Sequence, residues 1–201
     1  MKRQLTLAEY RNIDLALFAL MFAVFEFIIV RVANISFFRA QLFTASLAGA
    51  ITSIVYMRWG WWGGIHAALS GGLYCFYCAL AGQQEVVART YLIYILGNLF
   101  SLAAVPVLKK LGHERVRAGA WSALAFPLAV ILLMQGGRMA VAMALGTAPG
   151  VAFGYVSADA LSIVFTLVIV WIARRLDGVY EEQRHYLLRL QEDRERNNTE
   201  L

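Results

Sequence analysis

Charge is what this chain is short of. Only 15% of its 201 residues are Asp, Glu, Lys or Arg, whereas 60% are hydrophobic and the mean hydropathy is +0.61. A water-soluble domain is usually about 25% charged and about 45–50% apolar. A soluble fold is therefore excluded, and so is intrinsic disorder, which needs the opposite bias. Cysteine is also scarce. Cys75 and Cys78 are the only two, and both lie inside an apolar run, so no extracellular disulfide framework is expected. Their Cys-x-x-Cys spacing has no basic residue beside it to activate a thiolate, which argues against redox use. The sequence also lacks a nucleotide-binding loop, a metal-ligand cluster, an activated nucleophile and any repeat of fixed period. Neither an enzyme activity nor a cofactor or metal is expected.

The net charge of +5 and the pI of 9.4 would fit a nucleic-acid binder. Position argues otherwise: the basic residues fall mostly in short connections between apolar runs, as membrane topology requires. No nucleic-acid partner is expected. A signal peptide is not evident either, because Lys2-Arg3 is followed by Glu9, Arg11 and Asp14 before any apolar run.

The sequence holds six apolar runs, at about 14–33, 42–57, 61–82, 90–108, 120–145 and 151–173. Each is read as a membrane-spanning helix of about 20 residues. The second is the most diluted, by Thr44, Ser46, Thr52 and Ser53. The expected fold is an all-α integral membrane protein of six transmembrane helices. Its organisation is an N-terminus at 1–13, a membrane domain at 14–175 and a charged tail at 176–201. Lys2, Arg3, Arg11, Arg58, Lys109, Lys110, Arg115, Arg117, Arg174 and Arg175 collect on one side. The positive-inside rule makes that side cytoplasmic, with both termini in the cytoplasm. In the tail, Leu176, Val179, Tyr180, Tyr186, Leu187 and Leu190 form one apolar stripe on an otherwise charged helix. This is read as a solvated or membrane-surface helix, with partner docking as the other use.

Ionisable residues inside a span are costly unless paired or hydrated, and so are functional candidates. Here they are Glu26, Arg138 and Asp159, accompanied by Tyr74, Tyr77, Asn98 and Gln135. At 1.5 Å per residue most of these fall about 7–12 Å below the outer ends of their spans. The common depth is read as one pocket open to the outside. The other reading is internal ion pairing, with Arg138 neutralised by Asp159 or Glu26, and of the two Asp159 is the expected partner. His66 lies nearer the cytoplasmic end and is assigned to packing. Gly60-x-x-Gly63-Gly64, Gly71-Gly72 and Gly146-x-x-x-Gly150-x-x-x-Gly154 are read as helix-packing surfaces.

Two segments carry a family resemblance. Ala19-Leu20-Met21-Phe22-Ala23, with Ala16 one turn before, gives the first span a small-x-x-x-small face. Met57 to Leu73, containing Gly60-Trp61-Trp62-Gly63-Gly64 and Gly71-Gly72, is a glycine-rich start to the third. With six spans and cytoplasmic termini, residues from about 10 to 177 resemble the substrate-binding S components of energy-coupling factor importers. The resemblance implies an S-component-like bundle in the cell's inner, cytoplasmic membrane that captures a small nutrient or vitamin-like molecule from outside. It implies docking of Ala16, Ala19 and Ala23 on a membrane T component. It also implies energising by two cytoplasmic ATPase subunits, since this chain has no ATPase motif. A polar ligand with a ring system suits Glu26, Asp159 and Arg138 beside Tyr74 and Tyr77. The chain is also similar to the MreD family, which would make it a scaffold that transports nothing.

Overall fold

The first helix begins on a capping box. In the computed structural model, which describes residues 6–32, 44–81 and 87–199, the Glu9 N–H donates to Thr6 Oγ1 at 3.2 Å. The Thr6 N–H donates to Glu9 Oε2 at 2.9 Å, which completes the reciprocal pair. From there α1 runs over Leu7–Ile29. Asp14, Phe22 and Glu26 are buried at four- and eight-residue intervals, so one narrow stripe faces the protein. The opposite face exposes Leu17, Leu20, Met21, Val24, Phe25 and Ile28. A helix that turns apolar side chains outward and carboxylates inward is built for a lipid surrounding.

All regular structure among the described residues is helical. The elements after α1 are α2 (Ala48–Trp59), α3 (Gly63–Leu80), α4 (Ala88–Leu99), α5 (Ala104–Leu111), α6 (His113–Ala118) and α7 (Ala120–Ala144). They continue as α8 (Pro149–Ala152), α9 (Gly154–Ser157), α10 (Ala160–Ala173) and α11 (Gln183–Thr199). A tight 3-10 stretch, Phe100–Ala103, joins α4 to α5 in one rod that Gly112, at φ +84°, ends. Four stretches are long and apolar enough to cross a membrane: Leu7–Val32, Ala88–Leu111, Ala120–Ala144 and Pro149–Ala173.

The second apolar run departs from expectation. Its helix starts at Ala48 rather than near 42, and at 12 residues it is about 18 Å long against a hydrocarbon core of about 30 Å. Every residue from Ala48 to Arg58 is buried, with α1, α3, α7 and α10 packed around it. A short helix is tolerable there because protein, not lipid, surrounds the backbone at its ends. The sixth run is likewise not one helix. It is cut after Ala152 and again at Ala158-Asp159, giving α8, α9 and α10.

The tail does not begin as a free segment at 176. Gly178, at φ +70°, turns the chain back under the bundle. Tyr180 is fully buried in the main core, a cluster that includes Tyr56, Met57, Leu108, Val116, Phe126 and Val170. Glu181 and Gln183 are buried beside it, and only from Arg184 onward does α11 show alternating exposure. The apolar stripe is therefore split. Tyr180 is core, while Tyr186, Leu187 and Leu190 are half-buried and Leu176 is exposed.

Candidate functional site

The two helix breaks face each other. Residues 44–47, ahead of α2, lie against the 158–159 break, and the Thr44 N–H donates to the Ala158 carbonyl at 2.7 Å. Backbone that leaves the helix at membrane depth must find partners from side chains, and the intramembrane polar residues supply them. Glu26 Oε2 accepts from the Leu47 N–H at 2.9 Å, beside the positive end of α2 where a carboxylate is favoured. Ser46 Oγ accepts from the Ala48 N–H at 3.1 Å. Gln135 Nε2 donates to the Asp159 carbonyl at 3.1 Å.

Arg138 anchors the layer. Its Nη1 donates to Asp159 Oδ2 at 2.8 Å and its Nε to Asn98 Oδ1 at 2.7 Å. Asn98 in turn donates to Ser70 Oγ at 2.9 Å, and Thr44 and Ser162 both donate to Asp159 Oδ1. The guanidinium lies 4.7 Å from the centre of the Tyr94 ring. Tyr94 also stacks on Tyr74 at 5.0 Å and meets Tyr155 edge-on at 5.7 Å. One connected network thus ties α3, α4, α7, α9 and α10 at a single level. Close approach there needs glycine. A Cβ on Gly97 would lie 2.5 Å from Arg138 Cα, and one on Gly71 would lie 2.5 Å from the Tyr94 carbonyl oxygen.

Of the seven residues read as one layer, Asn98, Gln135, Arg138 and Asp159 meet directly, and Tyr74 joins through Tyr94. Glu26 reaches the layer through residues 46 and 47. Tyr77 does not join it, turning instead to α1 with its ring 5.5 Å from Phe27. The residues the sequence did not single out are Ser70, Tyr94, Tyr155 and Ser162. Spacing carried a signal for two of them, since Tyr94 is one turn before Asn98 and Ser162 one turn after Asp159. Of the docking face, Ala16 is exposed and Ala19 and Ala23 are half-buried. Among the described residues the glycines at 146, 150 and 154 line no packing surface, because a Cβ on any of them would meet nothing within 4 Å.

The layer is not fully satisfied. Glu26 Oε1 and Gln135 Oε1 are buried without a hydrogen-bond partner, and Arg138 Nη2 donates to nothing among the described residues. One donor atom on the guanidinium beside Tyr94 and two acceptor atoms are thus left open among the described residues. Among the described residues no three His, Cys, Asp or Glu side chains converge as metal ligands, and both cysteines are buried free thiols.

The opposite end carries a second buried pair. Asp14 accepts from Arg58 Nε at 2.8 Å, from Arg58 Nη2 at 2.6 Å and from Trp59 Nε1 at 2.6 Å. Arg58 Nη1 donates to the carbonyls of Gly178 and Val179, which pins the returning chain. Arg117 and Arg189 both pair with Asp177 and Glu181. His66 packs against α1, with Nε2 3.0 Å from the Leu15 carbonyl. No protein-family model, curated protein or solved structure matches the chain.

Proposed function

We propose that this chain is the substrate-binding membrane subunit of an importer of the energy-coupling factor type. On this reading it sits in the cytoplasmic membrane with six membrane-inserted helices and both termini inside. It holds a small polar nutrient in the outer half of the bundle, and partner subunits drive uptake. The observation that carries the reading is the open hydrogen-bonding set, Arg138 Nη2, Glu26 Oε1 and Gln135 Oε1, at the facing breaks of the second and sixth apolar runs. Broken helices gathered at membrane depth are how transporters build binding sites from backbone ends and a few side chains. The open set fits a ligand carrying both an acceptor and N–H donors, and Tyr74, Tyr94 and Tyr155 offer faces for a ring. On this reading a T component docks on Ala16, Ala19 and Ala23, of which Ala16 is exposed and the other two border the exposed face of α1 at Leu17, Leu20 and Val24.

A scaffold of the MreD kind is the second reading. It is favoured by the direct pairing of Arg138 with Asp159 and Asn98, which alone accounts for a charge at that depth. The test is to purify the protein from rich medium and identify any co-purifying small molecule by mass spectrometry, then to measure its affinity. Arg138→Ala is expected to weaken binding by at least about tenfold, or roughly 1.4 kcal/mol, with Arg138→Lys recovering only part because a point charge lacks the fork. Gln135→Ala disturbs no charge balance and should also weaken binding, which keeps the test valid if Arg138→Ala does not fold. Absence of any retained molecule, with co-purifying membrane partners instead, would assign the chain to the scaffold class.

A further inference from the structure

The basic end of the bundle, far from the Arg138 layer, holds a cavity of about 300 Å³ between the start of α1, the Gly60–Trp62 turn, α5, α6 and the start of α11. Arg11, Trp61, Trp62, Lys109, His113 and Arg184 line it, together with Arg58 and Glu182. One of these charges is already engaged. Arg58 is spent on Asp14 and on the carbonyls of Gly178 and Val179. Glu182 faces two imidazoles, His113 at 3.7 Å and His185 at 3.6 Å. Burial holds His113 below the ordinary imidazole pKa despite Glu182 beside it.

Arg11, Lys109 and Arg184 are different. Among the described residues no carboxylate pairs with any of them. Arg11 is held over the Trp62 ring at 4.0 Å, and its Nε is buried with no hydrogen-bond partner. Lys109 Nζ lies 5.8 Å from the Trp61 ring centre. The rings orient the cations without neutralising them. Both indoles are half-exposed at the end of apolar rods, as are Leu7 and Leu111, which places the cavity's rim where lipid headgroups meet acyl chains.

We propose that this cavity binds a phosphate-bearing anion through Arg11, Lys109 and Arg184. The phosphodiester of an anionic phospholipid, its chains lying along the exposed apolar rim, is one source. A free phosphate compound is the other. Arg11, Lys109 and Arg184 outnumber the Glu182 carboxylate in the lining, and their guanidinium and ammonium donors match a group of two or three anionic oxygens.

The test uses the full-length purified protein and compares binding of phosphatidylglycerol with that of phosphatidylcholine by native mass spectrometry, alongside a titration with inorganic phosphate. The double variant Arg11→Gln/Lys109→Gln alters half-buried or exposed side chains, and Lys110→Gln removes an exposed cation of the same turn outside the cavity. Phosphatidylglycerol is expected to bind more tightly than phosphatidylcholine, to lose at least about tenfold in affinity in the double variant, and to be unaffected by Lys110→Gln. Inorganic phosphate binding that shows the same variant dependence, without lipid preference, supports the site and assigns it to the soluble source. If neither probe binds, or if Lys110→Gln weakens binding as much as the double variant does, the cavity is not an anion site.

Discussion

Arg138 shows how much of a membrane protein's chemistry can rest on one side chain. It cannot shed its proton, so at that depth it has to be balanced, and Asp159 balances it. Removing one member of a buried pair leaves the other charge uncompensated, at about 3–5 kcal/mol. Arg138→Met should therefore lower the thermal midpoint in detergent substantially. Adding Asp159→Asn, which removes the stranded charge yet keeps an acceptor for Thr44 and Ser162, should restore part of the loss. A double variant less stable than Arg138→Met would show that Asp159 matters for something other than this charge. The sequence made this pair legible because both residues stand out in apolar surroundings and their helices follow one another. It hid Tyr94, since a tyrosine in a hydrophobic run reads equally well as lipid-facing. It also hid the Asp14–Arg58 pair, because charges at the ends of apolar runs look like boundary markers.

Among the elements, the informative contrast is between glycines that carry a helix crossing and glycines that only match a spacing. Gly97 sits where α4 meets the backbone of α7 at Arg138, and neither backbone can give way. Gly97→Ala should cost about 1–3 kcal/mol as overpacking. Gly154→Ala, in open space at the start of α9, should be neutral or stabilising by up to about 1 kcal/mol. Thermal unfolding of both variants checks this, and equal losses would mean the crossing is looser than its geometry. The Gly-x-x-x-Gly spacing at 146, 150 and 154 marked no helix crossing among the described residues, because the three glycines fall in a turn, in α8 and in α9 rather than on one helix face. The breaks at 44–47 and 158–159 were hidden for a related reason. The polar residues Thr44, Ser46 and Asp159 dilute hydropathy there without marking a helix end, and it is tertiary partners such as Glu26 and Gln135 that let the backbone leave the helix.

For the molecule as a whole, the segment from Gly178 to Gln183 decides whether the basic end is closed. Tyr180 fills the core beneath Tyr56 and Phe126, so Tyr180→Ala should cost about 3–5 kcal/mol, as for other large aromatics. Its hydroxyl has no partner among the described residues, so Tyr180→Phe should be at least as stable as the native protein. Leu188→Ala, on the exposed side of α11, should change stability by less than about 0.5 kcal/mol. Chemical unfolding of the three variants separates a core role for this segment from that of a detachable tail. The polar composition after Asp177 concealed that role, because one aromatic among charges gives no periodic signal. The same contact also imposes an order of assembly. A chain made from its N-terminus commits Asp14 and Arg58 to the nascent bundle long before the carbonyls of 178 and 179 exist. Until the ribosome has delivered the segment from Gly178 to Gln183, Arg58 lacks its two carbonyl partners and the core around Tyr56 is unfilled, so synthesis of that segment is itself the step that seals the basic end.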